Sequence, residues 1–158
     1  MHLQIHFDGS HRRRQSHYGF IVTEDGEEVY SEGGPARPSL HGFPGRIRSN
    51  DCEVFAALQS LRWADKNRPG EPLTLISDSR TVTEIRSTRP SDPYVLHWQA
   101  AVTQHPGIVL QKVAAHSGDA RNEAADRLAR RGANVPILTL PTEPPMPFLG
   151  SEGPARAR

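Results

Sequence analysis

Apolar and polar positions alternate from His2 to Asp8, with Leu3, Ile5 and Phe7 on one face, and that period of two predicts a strand over residues 2–8. Tyr18 to Thr23 predicts a second strand, Asp25-Gly26 is a hairpin turn signal, and Glu28-Val29-Tyr30-Ser31 starts the return strand. Glycine and proline crowd the stretch from Gly33 to Gly45, which predicts loop. From Asn50 to Asn67 the period changes to that of a helix. Val54, Leu58 and Leu61 recur at helical spacing beside Ala57 and Ala64, with Ser49 or Asn50 as N-cap and Pro69-Gly70 as stop. The short apolar run over 73–77 predicts a buried strand. Two helices follow, 81–87 and 93–105, the second halted by His105-Pro106-Gly107. Residues 108–114 make the last strand and 119–131 the last helix, which buries Ala125, Leu128 and Ala129 and ends at Gly132.

A meander of three strands followed by alternating helices and strands implies an α/β domain with a five-stranded mixed sheet: three antiparallel strands, then parallel ones, with helices on both faces. Such sheets present functional groups at the carboxyl ends of their central strands, where Asp8 and Asp78 are expected. The pattern divides the chain into a folded domain over 1–133 and a tail over 134–158. The tail has no periodicity and many prolines, and predicts disorder, with Met146-Pro147-Phe148-Leu149 as its one adhesive segment.

Composition narrows the function classes. The 158 residues suffice for one core, and no apolar run approaches a membrane span. Residues 1–8 carry no basic and apolar leader, and a single cysteine, Cys52, excludes an intrachain disulfide or a Cys-rich zinc site; a cytoplasmic location is the expectation. Formal net charge is only +1, so any grip on nucleic acid must come from local clusters. The candidates are Arg12-Arg13-Arg14, Arg46 with Arg48, Arg80 with Arg86 and Arg89, and Arg121.

Chemistry concentrates in four carboxylates. Asp8 follows an alternating run, Glu53 opens a helix, Asp78 ends an apolar run, and Asp126 lies on the last helix ten residues after His116. Gathered in one place they repel and lose stability unless a cation sits among them, which points to divalent metal and phosphate chemistry. Each has a plainer role as well. Asp-Gly-Ser is a common turn, the helix dipole favours Glu53 in a first turn, and Asp126 is spaced to pair with Arg130. His2 and His6 could form a zinc pair, but a buried, hydrogen-bonded histidine is commoner.

The motifs Phe7-Asp8-Gly9-Ser10, Asn50-Asp51-Cys52-Glu53-Val54 with Ala56-Ala57, Ser77-Asp78-Ser79, and His116-Ser117-Gly118 with Asn122-Glu123 and Asp126 resemble ribonuclease H of type 1 over positions 3–132. The resemblance implies hydrolysis of the RNA strand of RNA–DNA hybrids to 5′-phosphate and 3′-hydroxyl ends. It implies two divalent ions, normally magnesium with manganese as a substitute, on Asp8, Glu53, Asp78 and Asp126, and His116 as a mobile proton carrier. By the same resemblance Gly9, Ser10, Arg12, Arg13, Asn50, Arg80 and Asn122 are expected to meet the nucleic acid. The chain would act as a monomer, away from membranes, and dock any protein partner through its tail.

Two departures from the family pattern bear on substrate choice. Where relatives often carry a Gly- and Pro-rich loop that approaches RNA 2′-hydroxyls, this chain has His11-Arg12-Arg13-Arg14-Gln15-Ser16-His17, and arginine supplies phosphate affinity with little strand discrimination. The distance from Asp78 to His116 leaves no room for the extra basic helix that some relatives use as a handle, so Arg86 and Arg89 are its partial substitutes. A nuclease acting on duplex RNA or DNA, or a non-catalytic nucleic-acid-binding module, are the competing readings.

Overall fold

In a computed structural model, residues 2–37, 41, 47–48, 51–87, 89, 92–115 and 117–134 are described. The elements are β1 (Leu3–Arg12), β2 (Gln15–Glu24), β3 (Glu27–Pro35), α1 (Asp51–Asn67), β4 (Leu73–Ser77), α2 (Arg80–Thr83), α3 (Pro93–Thr103), β5 (Val109–Lys112) and α4 (Ala120–Asn134). A 3₁₀ turn over Ile85–Ser87 follows α2. The sheet order is β3-β2-β1-β4-β5, with β1, β2 and β3 antiparallel and β4 and β5 parallel to β1.

The alternation of β1 sorts its two faces. Leu3, Ile5 and Phe7 are fully buried and join Val54, Phe55, Leu58 and Leu61 of α1 in the main core. Each such side chain contributes roughly 1.5–3 kcal/mol through burial. Because α3 closes over α1, that helix is buried on nearly all sides, down to Gln59, Ser60 and Arg62. Trp98 of α3 anchors the cover, donating its indole N–H to the carbonyl of Val82 at 3.0 Å. On the opposite face α4 lies across β1, β2 and β3.

Glycines make that second layer possible. A Cβ on Gly19 would come within 2.7 Å of the Ala129 nitrogen, and one on Gly33, its cross-strand partner, within 3.2 Å of the Leu128 carbonyl. Glycine in a strand often marks such a close backbone approach. This corrects the expected loop from Gly33: β3 continues through Gly33, Gly34 and Pro35, paired with β2, and Gly33 lets α4 pack close to it. Leu128 is only half-buried, while Ala125 and Ala129 are fully buried against the sheet.

Other boundaries shift. β1 and β2 extend to Arg12 and back from Gln15, so the expected loop over 11–17 is a hairpin closed by a two-residue turn. β5 is shorter than expected, and α4 continues past Gly132 to Asn134. Asp119 lies before α4, accepting from the Arg121 and Asn122 backbone N–H groups as an N-cap. The tail from 135 onward lies outside the described residues. Among the described residues no helix is long and apolar enough to cross a membrane.

Candidate active site

The sheet has a notch, and the carboxylates converge on it. β1 pairs with β4 only from Leu3–Leu73 to His6–Ile76, whereas its pairing with β2 continues to Arg12. Carried two places further, the β1–β4 register sets Asp8 beside Asp78, just past the end of β4. Asp8 is therefore mid-strand, not at a strand end as the alternation implied, yet it stands at the edge that β4 vacates.

Glu53 enters from one face. A Cβ on Gly9 would lie 2.4 Å from the Cys52 carbonyl carbon, so only glycine lets the first turn of α1 rest on β1. The Gly9 N–H donates to Asp8 Oδ1 at 2.9 Å and to Glu53 Oε2 at 3.2 Å, tying the two carboxylates to one backbone group. From the other face comes Asp126. It faces Asp8 across the strand because Gly19, the cross-strand partner of Asp8, admits α4 so closely.

One oxygen from each of Asp8, Glu53 and Asp78 lies within 4.8 Å of the others. Asp126 stands beside this trio and not in it. It hydrogen-bonds toward Asp8 while Arg130 donates to it at 3.1–3.2 Å, the i,i+4 pair that the spacing implied. Among the described residues none of the trio forms an ion pair with a basic side chain. Burial foremost, then the charge of Glu53, hydrogen bonds to Asp126 and Glu53, and the charge of Asp78 push Asp8 up to about 10. Burial also pushes Glu53 up to about 7, with the charges of Asp78 and Asp126 adding and hydrogen bonds from Asp8 and Gly9 opposing. Left to itself the cluster retains a proton near neutrality; a hard divalent cation meets the same need with the oxygen donors that magnesium prefers.

The remaining site expectations divide. Ser10 is half-buried on β1, and Arg12 and Arg13 are exposed near the hairpin turn. Arg80 opens α2 and pairs with Glu84 at 2.8 Å. Arg86 donates to the Ile108 carbonyl, which commits it to holding the approach to β5. Asn122 lies buried in the first turn of α4, its side-chain oxygen without a hydrogen-bond partner among the described residues. Asn50 and His116 lie outside the described residues. His6 is buried with Nε2 3.7 Å from Asp119, and His2 is exposed, so the two do not form a metal pair. Cys52 is buried, and burial, with the charges of Glu53 and Asp8, pushes its thiol up to about 12, which leaves it unreactive.

Sequence reasoning missed the tie that seats α1. Arg48 bonds both Asp51, at 3.4 Å, and Asp92, which caps α3 by accepting from the Tyr94 N–H. It also missed Gly19 and Gly33, although glycines within β-rich segments were a usable signal of close approach.

Comparison with known proteins agrees with this architecture. The family model described as RNase H matches residues 1–134. No curated protein sequence matches the chain. Among solved structures, RNase H1 from the halophilic archaeon Halobacterium salinarum NRC-1 is 22% identical with a TM-score of 0.62, over 85% of this chain and 98% of that one. The N-terminal RNase H domain of a Mycobacterium tuberculosis protein, solved as a fusion with maltose binding protein, is 21% identical with a TM-score of 0.61, over 84% and 93%. LC11-RNase H1 in complex with an RNA/DNA hybrid is 14% identical with a TM-score of 0.59, over 83% and 99%. At these identities the likeness to solved structures concerns the fold.

Proposed function

This chain belongs to the RNase H family and is a ribonuclease H hydrolase, and from that premise we propose that it cuts the RNA strand of RNA–DNA hybrids, with Asp8, Glu53, Asp78 and Asp126 holding two divalent cations. The observation that carries the reading is the notch: three carboxylate oxygens within 4.8 Å of one another, on one buried and two half-buried residues that have no basic partner among the described residues. That LC11-RNase H1, of the same fold, was solved with an RNA/DNA hybrid supports the substrate class.

Bound magnesium, or manganese in its place, supplies water activation and neutralises charge on the leaving 3′ oxygen of an in-line displacement. The chain's own residues do the positioning. Gly9 fixes the orientation of Asp8 and Glu53 through one N–H, and Arg130 draws Asp126 aside and must release it for a fourth carboxylate to join. His116, four residues before α4 in sequence, carries the proton to or from the leaving oxygen. The products are 5′-phosphate and 3′-hydroxyl ends. The catalytic unit is residues 1–133 acting as a monomer, and the tail serves for docking a protein partner, so removing 134–158 leaves cleavage intact.

Cleavage of an end-labelled hybrid with and without magnesium tests this, with RNA duplex and DNA duplex alongside. Magnesium-dependent cutting of the RNA strand in the hybrid is expected. Equal cutting of a DNA duplex, or magnesium-independent activity, would falsify the assignment.

A further inference from the structure

The molecule contains two hairpins closed by the same kind of turn, with opposite chemistry. Arg12 pairs with Gln15, leaving Arg13 and Arg14 as a two-residue turn, and Glu24 pairs with Glu27 around Asp25 and Gly26. In both turns the central residues have positive φ: 49° and 86° at Asp25 and Gly26, and 51° and 65° at Arg13 and Arg14. Two left-handed residues mark the primed turn that suits the twist of a hairpin, and Asp-Gly is among its favoured sequences. Arginine has no local means of easing that conformation, so the first turn works against its own backbone preference. Strain of this kind is found where something outside the fold uses the side chains.

Arg12, Arg13 and Arg14 are exposed, and among the described residues none makes an ion pair or side-chain hydrogen bond. Arg48, Arg68, Arg80 and Arg130, by contrast, each face a carboxylate. The hairpin beneath the turn is braced by His11 Nδ1 and Ser16 Oγ, 2.7 Å apart, so the turn is carried on a firm stem. That stem is the strand holding Asp8. At about 3.4 Å per residue, Arg12, the last residue of β1, lies roughly 14 Å along the strand from Asp8, and the turn follows it directly.

We propose that the Arg13-Arg14 turn, with Arg12, is a phosphate clamp, gripping the nucleic-acid backbone a few nucleotides from the bond cut at the notch. The inference rests on the function proposed above and deepens it. The span from notch to turn is that of a few nucleotides along one strand of a duplex. Guanidinium groups on phosphate supply affinity and register without reading the sugar, so the clamp holds RNA and DNA strands alike. In a chain of net charge +1, it concentrates the positive charge that the bulk composition lacks.

The test exchanges the turn for one the backbone prefers. Full-length Arg13→Asn/Arg14→Gly and Arg13→Lys/Arg14→Lys are compared with wild type for binding of a labelled RNA–DNA hybrid at several salt concentrations, with EDTA to prevent cutting. The Asn-Gly variant should have a Tm equal to or above wild type and bind the hybrid on the order of tenfold more weakly. Its slope of log K against log salt should be shallower by about 0.9 for each phosphate that the protein no longer neutralises. The lysine variant should keep most of the affinity. Unchanged affinity and slope in the Asn-Gly variant would overturn the clamp, as would weaker binding with an unchanged slope. Equal losses in both variants would overturn a grip by charge. Loss of binding to an acidic protein such as polyglutamate, with hybrid affinity intact, would move the turn to a different partner and sink the proposal. Failure of wild type to cut hybrid with magnesium would count against the proposed function, independently of these binding results.

Discussion

Two buried polar regions lie along α1, and they are built on opposite plans. At its first turn Glu53 joins Asp8 and Asp78, so acceptor faces acceptor. About two turns on, Gln59 lies in a cluster where a carboxylate is met by donors. Glu32 accepts from Tyr18 Oη at 2.5 Å, Tyr30 Oη at 2.6 Å and Gln59 Nε2 at 3.3 Å, with buried Arg62 close enough to act on it electrostatically. Burial, and then the neighbouring Glu32 charge, pushes the Tyr18 hydroxyl up, so it stays a donor. In the second cluster the carboxylate is met by donors of the protein itself, although Gln59 Oε1 and Arg62 Nη2 have no hydrogen-bond partner among the described residues. Among the described residues no basic side chain pairs with the notch trio, and that deficit is what a divalent cation would fill.

The largest expected effect breaks the notch as a centre of chemistry. Asp78→Asn should reduce magnesium-dependent cleavage by roughly three orders of magnitude or more, in keeping with the several kcal/mol that metal-assisted displacement is worth. In EDTA the same variant should unfold at a temperature equal to or above wild type, because it removes a repelling charge. A fall in metal-free Tm together with lost cleavage would mean that Asp78 is part of the fold's support.

Next in size is the response of stability to pH. Asp8 and Glu53 are raised in the folded chain, to about 10 and about 7, above their ordinary carboxylate values. The folded state then binds more protons than the unfolded state between about pH 4 and pH 10, so stability falls as pH rises across that window and is fully present only below it. Melting in EDTA should show that decline, and Asp8→Asn should flatten it. Saturating magnesium should oppose it, since the metal binds the deprotonated ligands of the folded state. A metal-free Tm that climbs from pH 5 to pH 9 would contradict the geometry of the notch.

Much of this was legible along the chain, for identifiable reasons. β4 matches its apolar run to the residue because both faces are buried and alternation is not needed. β1 is legible only to Asp8. From Ser10 to Arg12 the side chains are half-buried or exposed, and those residues are strand because β2 pairs with them. Gly33 reads as loop because its reason for being glycine lies on α4, far off in sequence. Local motif singles out four carboxylates, three of which the fold brings together, and helical spacing gives the Arg130 claim on Asp126. That the trio closes without Asp126, and that Asn122 is buried, depends on how α4 sits on the sheet; no window of sequence holds that information.

The smaller effects probe the cluster around Glu32. Glu32→Ala leaves two tyrosine hydroxyls and an amide without their acceptor and should lower stability by about 1–3 kcal/mol, while hybrid cleavage with magnesium stays within a fewfold of wild type. A loss of activity comparable to that of Asp78→Asn would show that the two regions on α1 are one coupled site.

Smallest of all, Tyr18→Phe removes one of the three donors to Glu32 and keeps the ring that packs on Phe55 at 5.4 Å. Tyr30 and Gln59 remain to satisfy the carboxylate, so the net change should be about 1 kcal/mol, read as a shift of a few degrees in Tm. The sign separates the two plans. Removing one group from the cluster should destabilise the fold in the presence or absence of magnesium, whereas removing Asp8 or Asp78 should destabilise only the metal-bound form. If Tyr18→Phe raised the metal-free Tm as Asp78→Asn is expected to do, the cluster too would be a site in want of a ligand.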